Sequence, residues 1–234
     1  MTARAPVRVV SLVPSVTETL LTWGVTPVGV TRFCEQPDLR AVGGTKDPDV
    51  AAIIGLSPDL VVCCPEENRR EDAEALRAAG VEVLALEVDD VAGVGPALAG
   101  ACGIEVQEPD RAAPTPSDPV VPAATAVVPV WRRPYVVLGP RCYGASVLAN
   151  LGLRVVAPDA QQRYPEASFE SLIALDADLV VAPSEPYPFA ERHREELATI
   201  APVVFVDGQD LFWWGVRTPS AMARLGRHLR EVLG

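Results

Sequence analysis

The stretch "DLVVCCPEEN", residues 59 to 68, sets the adjacent thiols of Cys63 and Cys64 beside the adjacent carboxylates of Glu66 and Glu67, where an apolar run turns polar. Thiolates and carboxylates are metal ligands, so a metal site is one reading. Successive strand residues point to opposite faces, so both cysteines reach one ion only if the strand has already broken. A disulfide between neighbours is disfavoured by their short Cα separation. Zinc would call for C-x-x-C pairs or histidine partners, and the two histidines, His193 and His228, lie in distant charged stretches. Buried thiols at a strand end are therefore expected, with no metal. Glu66, Glu67 and Asn68 read either as the acidic first turn of a helix or as a cleft edge that accepts hydrogen bonds or a cation.

The second cluster is "DLFWWGVR", residues 210 to 217. Phe212, Trp213 and Trp214 cannot all face one core, so one or two of these rings should be open to stack on a planar or macrocyclic ligand, with Trp213 and Trp214 the chosen pair. Phe33, Tyr164 and Tyr187 fall in comparable loops. Arg32, Arg141, Arg163 and Arg217 would supply guanidinium donors to carboxylate or phosphate groups. Pro14, Ser15, Lys46, Glu66, Glu67 and Tyr143 complete the candidate contacts. Cys34 in "RFCEQP" is a conceivable nucleophile, although neither histidine has the loop context of a partner base. No G-x-S-x-G, Walker loop, dinucleotide fingerprint or H-E-x-x-H is present, so binding rather than catalysis is expected.

These residues need elements to position them. Short β-branched runs alternate with amphipathic segments, which specifies parallel sheets covered by helices. "VRVVSL" opens the first half as a strand. In "SVTE", Ser15 and Glu18 have capping-box spacing for a helix ending at Gly24. "PVGVT", "DLVVCC" and "VEVLAL" follow as strands, Asp47-Pro48 opens a helix, and "NRREDAEALRAAG" forms another, closed by Gly80. The second half repeats the order, beginning with the strand "YVVLGP". "LSPDLVVCCPEE" lies over "LDADLVVAPSEP", and "SLVPSVTETLLTWG" over "VLGPRCYGASVLANLG", an internal duplication. The expected architecture is α/β: two similar lobes (residues 1–100 and 134–234), each a mostly parallel sheet flanked by helices, with a ligand cleft between them. Residues 101–133 read as a proline-rich linker, because five prolines from Pro114 to Pro129 bar a regular helix. In parallel sheets, loops at the carboxyl ends of the strands converge on ligands, and the candidate residues fall there.

The chain of 234 residues carries a formal net charge of -11, which opposes binding to nucleic acid or an anionic membrane. No stretch has the length of a membrane span, so no membrane insertion is expected. The N-terminal residues lack an uninterrupted apolar run followed by a small-residue cleavage site. That leads to the expectation of a cytoplasmic protein, or an extracytoplasmic one whose leader was removed. Five cysteines leave at least one thiol unpaired within the chain.

The runs "RVVSLVPSVTETLLTWGVTPVGVT" and "GGTKDPDVAAIIGLSPDLVV", the proline-rich join and the second α/β half together resemble the class III periplasmic binding proteins, receptors for cobalamin, haem and iron siderophores. The resemblance implies a metal chelate held between the lobes with modest hinge motion and handed to an ABC permease. It implies a surface glutamate on each lobe that meets permease arginines, here Glu71 and Glu191. The chelate would itself carry cobalt or iron; the sequence names no other cofactor. Family members join their lobes by one long helix, of which "DDVAGVGPALAGA" supplies only a start before the prolines. The rival expectation is an intracellular enzyme on the same fold, using Cys34 or the Glu66/Glu67 pair with a metal. A protein-interaction domain that has lost its pocket is a third.

Overall fold

A computed structural model describes residues 7–91, 95–104 and 124–233. The chain divides into two compact units. Unit 1 holds the described residues up to Glu87, the helix Gly95–Cys102 and a short return, Trp214–Val216; unit 2 holds Val88–Val91 and the rest of the described second half.

Unit 1 is built on four parallel strands in the order β2-β1-β3-β4: β1 Val9–Ser11, β2 Gly29–Val30, β3 Leu60–Cys63 and β4 Val83–Ala85. Its helices are α1 Pro14–Thr22, α2 Val50–Gly55, α3 Arg70–Ala78 and α4 Gly95–Cys102. Both central strands are buried on both faces, which is why they read as unbroken apolar runs. Val10, Leu12, Val61 and Cys63 pack there against Val42, Ile53 and Leu76 from the loop and helices. Gly24 and Gly80 take positive φ values of 77° and 82° and close α1 and α3 as their sequence context requires.

Unit 2 repeats the plan. Strands β5 Ala124–Val127, β8 Leu153–Val155, β10 Leu179–Pro183 and β11 Val203–Val206 form a parallel sheet in the order β11-β10-β5-β8. Read from the other edge, this is the order of unit 1, with β5 in the place of β1 and β10 in that of β3. One local device recurs in both copies. Asp59 accepts the backbone N–H of Arg8 at 2.8 Å, and Asp178 accepts that of Thr125 at 2.8 Å. Two residues before each aspartate the chain takes a left-handed turn, at Ser57 (φ 49°) and Asp176 (φ 48°). The overlay of "LSPDLVVCCPEE" on "LDADLVVAPSEP" is thus a structural equivalence.

Two expectations need correction. "YVVLGP" is not the opening strand of the second sheet: β7 Tyr135–Val137 pairs antiparallel with β6 Pro129–Trp131 and β9 Glu166–Ala167 in a separate three-stranded sheet. The opening strand is β5, inside the stretch assigned to the linker, so the linker does not run to residue 133. Prolines bar helix there but not strand, and Pro129 takes the first position of β6, where a missing N–H is tolerated. Nor do the prolines stop α4; Gly103 does, at φ 67°, with its N–H on the Gly100 carbonyl at 3.1 Å. Most of the proline-rich stretch, residues 105–123, lies outside the described residues. The remaining α-helices among the described residues are α5 Tyr143–Asn150, α6 Phe169–Ile173, α7 Arg194–Leu197, α8 Gly208–Phe212 and α9 Thr218–Leu233.

Candidate functional site

In unit 1 the loops after β1, β2 and β3 carry the candidates. Pro14 is the first residue of α1, and the N-cap is Val13, with no side-chain hydrogen bond. The expected Ser15–Glu18 capping box does not form. Proline's fixed φ and missing N–H start the helix two residues early and place Ser15 inside the first turn. Pro14 and Ser15 are buried, so neither offers a contact surface, and the Ser15 hydroxyl has no partner among the described residues. The second helix is likewise capped two residues later than Asp47, by Asp49, which accepts from the Ala52 N–H at 2.9 Å.

Arg32 and Phe33 reach the surface. Phe33 is 51% exposed, and the Arg32 guanidinium lies 5.0 Å from its ring centroid. Asp47 grips Arg32 through both nitrogens, at 3.0 and 2.9 Å. The pair lies across the backbone of Gly44, where a Cβ would stand 2.7 Å from the guanidinium, so a side chain at 44 would displace it. Both partners are about half exposed, so the bond orients Arg32 more than it stabilises the fold.

Lys46 donates to the Glu66 carbonyl at 2.8 Å. Glu66 and Glu67 lie in a turn before α3, not in its first helical turn, where Glu71 and Asp72 stand instead. The turn is shaped by Asn68, which sequence reasoning missed as a positioning residue. Only 6% exposed, Asn68 accepts the Cys64 N–H at 2.8 Å and donates to the carbonyls of Leu12 at 3.1 Å and Thr45 at 3.0 Å. One side chain therefore ties three rim loops together.

Cys63 and Cys64 are 4% and 2% exposed. Burial pushes the Cys64 thiol up to about 12, assisted by the nearby Glu67 carboxylate, so its resting form is the neutral thiol. A raised value in the folded state gives stability that is present below the ordinary thiol value of about 9 and is lost as pH rises towards 12. Melting temperature should accordingly fall over that range, and Cys64→Ala should make the decline shallower than in wild type. Equal slopes would show that the thiol ionises as freely folded as unfolded. Among the described residues, no three His, Cys, Asp or Glu side chains converge on a metal-binding point.

Cys34 is also buried, at 5% exposure, in a hydroxyl cluster. Thr17 Oγ1 lies 3.2 Å and Thr31 Oγ1 3.2 Å from its Sγ, and Thr17 donates onward to Ser11 Oγ at 2.9 Å. A nucleophilic thiol needs a base and an approach path; these neighbours supply neither. Trp214 completes unit 1. At 4% exposure it belongs to the packing, which overturns its expected role as an open ring. Gly215 follows at φ 116° against Thr19, and the Val216 N–H donates to Thr19 Oγ1 at 3.3 Å.

In unit 2, Gly139 lets the chain close on Arg163. The Gly139 N–H meets the Arg163 carbonyl at 2.7 Å and Cys142 Sγ meets it at 3.1 Å, while a Cβ at 139 would stand 2.9 Å from it. The Arg163 guanidinium pairs with Asp89 and bonds the Arg141 carbonyl at 3.2 Å. Arg141 is exposed and makes no ion pair among the described residues. Tyr164 is 37% exposed. Tyr143, by contrast, is 5% exposed, its hydroxyl bonded to Thr218 Oγ1 at 2.8 Å, and burial raises it to about 12. It is a packing residue. Tyr187 is half-buried, with its ring 4.7 Å from Phe189, 5.6 Å from His193 and 5.7 Å from Trp131.

Trp213 is half-buried and held on two sides. Its Nε1 donates to Glu185 Oε1 at 2.8 Å, and the Arg217 guanidinium stacks 4.7 Å from the ring centroid while donating to Gln209 Oε1 at 3.2 Å. Gly208 brings its backbone against Glu185, where a Cβ would lie 2.6 Å from the Glu185 nitrogen. Asp47, Glu185 and Gln209 are thus supporting groups that sequence reading did not single out, and Asn68 entered it only beside Glu66 and Glu67 as part of a possible cleft edge.

Of the two glutamates expected to dock, Glu71 is exposed in the first turn of α3. Glu191 is held by Arg194 at 2.5 and 2.9 Å, which also holds its carboxyl below the usual range.

A duplicated parallel sheet, with aromatic and arginine side chains on the strand-end loops of both copies, defines a two-unit α/β binding-protein fold. Residues 9–185 match the periplasmic binding protein family, and the chain belongs to it. In sequence it is 28% identical over 92 residues to the vitamin B12-binding protein of Salmonella choleraesuis (strain SC-B67), a stretch covering 36% of this chain and 35% of that relative. The chain therefore spans about a third of the length of the curated relatives it matches. In fold it matches the periplasmic vitamin B12 binding protein of Vibrio cholerae with a TM-score of 0.79 at 17% identity, over 97% of this chain and 98% of that one. A periplasmic heme binding protein from Pseudomonas aeruginosa matches with a TM-score of 0.75 at 22% identity, over 97% and 94% of the two chains. Among the described residues no helix is long and apolar enough to cross a membrane.

Proposed function

We propose that this chain is a solute-binding protein for a metal chelate of the corrinoid, haem or ferric siderophore kind, which it passes to an ABC transporter. The observation that carries the reading is one arrangement repeated on both units. A guanidinium stacks on a rim aromatic ring in each, Arg32 on Phe33 at 5.0 Å and Arg217 on Trp213 at 4.7 Å, and a neighbouring polar side chain fixes each arginine. Flat apolar surface beside fixed N–H donors suits a macrocycle or aromatic chelate that bears carboxylate or amide groups. Arg32, Phe33, Lys46, Arg141, Arg163, Tyr164, Trp213 and Arg217 form the proposed contact set. Pro14, Ser15, Tyr143 and Trp214 support it from within.

Asp47 and Asp89 already occupy part of the donor capacity of Arg32 and Arg163. An anionic ligand there competes with a carboxylate, which favours Arg141 as the strongest free anion donor of the four. Glu71 is the proposed permease contact on unit 1; Glu191 would first have to leave Arg194. An extracytoplasmic site of action follows from the transport reading.

Cyanocobalamin, hemin and ferric siderophores, each at about a hundredfold excess over its dissociation constant, test the reading by thermal melting. A specific ligand at that excess adds about 2.7 kcal/mol. For a chain of this size that corresponds to a rise in melting temperature of roughly 5–10 °C. Native mass spectrometry should show one chelate per chain. Flat melting curves across the whole panel would end the proposal.

A further inference from the structure

The segment Ser184–Phe189, between β10 and the turn Glu191–His193, carries two rim residues, Glu185 and Tyr187, and ends on an unusual closure. Ala190 has no polar side chain to cap the turn that follows. Instead the His193 ring reaches back and its Nδ1 accepts the Ala190 N–H at 3.1 Å, while the His193 N–H donates to the Ala190 carbonyl at 2.8 Å. Because Nδ1 accepts a proton donor, it carries no proton of its own. The ring is 6% exposed and wedged against Tyr187 and Phe189, whose centroids both lie 5.6 Å away, Phe189 edge-on.

A proton on Nδ1 would set two N–H groups head to head and lose the closure. It would also put a cation in a buried site acted on by Arg132 and Arg192. The opposing charge that acts on it among the described residues, Glu196, is committed to Arg132 and to the Tyr135 hydroxyl, the latter at 2.6 Å. Tyr187 is the only other titratable side chain in ring contact with the imidazole among the described residues.

We propose that His193 is an acid-sensitive latch: the neutral imidazole closes the end of the Ser184–Phe189 segment, and protonation releases it. Burial and the two arginines already hold the ring below its ordinary value of 6.5, which sets the sign. The stability of the closed turn is present above that value and is lost as pH falls through the folded-state value. Release moves Tyr187 and Glu185, and Glu185 is the acceptor that orients Trp213. On the solute-binding reading above, on which this consequence rests, acid therefore weakens the hold on ligand.

The test uses the ligand-free, isotope-labelled full chain, so it succeeds or fails independently of whether any chelate binds. The His193 ring and the Ala190 amide are followed by NMR between pH 7.5 and 5.0. Ring titration and at least a tenfold loss of Ala190 amide protection should share one midpoint. His193→Gln, whose side-chain oxygen can accept the same N–H without titrating, should keep its protection across the range. Constant protection in wild type, or equal loss in His193→Gln, overturns the latch. Should that variant fail to fold, the coincidence of the two wild-type midpoints decides alone.

Discussion

Asn68→Ala should lower the melting temperature by roughly 6–12 °C, the shift that about 3 kcal/mol produces in a chain of this size. The substitution removes one acceptor and two donors at a position only 6% exposed. The Cys64 N–H and the carbonyls of Leu12 and Thr45 then lose their partner together. Each buried polar group left unsatisfied costs about 1–3 kcal/mol, and partial repair by water at the rim brings the sum down towards the lower figure. Asn68→Asp is a sharper version. It keeps the acceptor for Cys64 but turns a carboxylate oxygen on two carbonyl oxygens, so it should cost at least as much as alanine near pH 7. Glu66→Ala, two residues away on an exposed side chain, should stay within about 0.5 kcal/mol of wild type. The Glu66 backbone carbonyl that Lys46 binds survives that change. Thermal melts of the three variants side by side decide the matter. A drop under 2 °C for Asn68→Ala would mean that the three loops are held by something other than this amide.

The alternation of apolar runs and helices was legible because buried parallel strands leave a signal within four or five residues. "DLVVCC" and "DLVVAP" gave both central strands, and the left-handed turn with its aspartate made the duplication visible. What failed was pairing. "YVVL" and "ATAVV" are equally good strands taken alone, and only their partners, β6 and β9 for one and β8 and β10 for the other, show which continues the parallel sheet. Partners lie far along the chain, beyond any local pattern, and prolines next to β5 disguised it as linker. The capping box failed for a local reason that was readable: Pro14 precedes Ser15 and is itself the better helix starter. Arg32, Phe33, Trp213 and Arg217 were singled out from residue type at strand ends, and the structure pairs each guanidinium with its ring. Their supports, Asp47 and Glu185, escaped because each is an ordinary polar residue until the fold brings it to its partner.

The two adjacent tryptophans separate what sequence could and could not say, and replacing each should have opposite consequences. Trp214→Ala empties a position that is 4% exposed, and such truncations of buried aromatics cost about 3–5 kcal/mol. The corresponding loss in melting temperature is roughly 6–20 °C. Trp213→Ala removes a half-buried ring with one hydrogen bond to Glu185 and one stacked guanidinium, a cost of about 1–2 kcal/mol. Its larger effect should fall on ligand affinity, since the ring offers stacking surface and steadies Arg217 beside it. Loss of both should weaken binding by about tenfold to a hundredfold, or about 1.4–2.8 kcal/mol. Trp213→Phe restores the stacking face but not the Nε1 donor, and should recover part of that loss. Melting and isothermal titration of both alanine variants, with whichever chelate stabilises the wild type, give the comparison. If Trp213→Ala binds as wild type does, the ring is packing and the aromatic contact on unit 2 must be sought at Tyr164. Adjacent residues with the same side chain fall to different tasks here because the chain leaves α8 at Trp213 in an extended conformation (φ -82°, ψ 112°), which sends successive side chains to opposite sides, and just past both rings Gly215 packs against Thr19 at φ 116°. Backbone geometry where the helix ends, not the identity of the tryptophans, buries one ring and leaves the other half-buried for the proposed ligand.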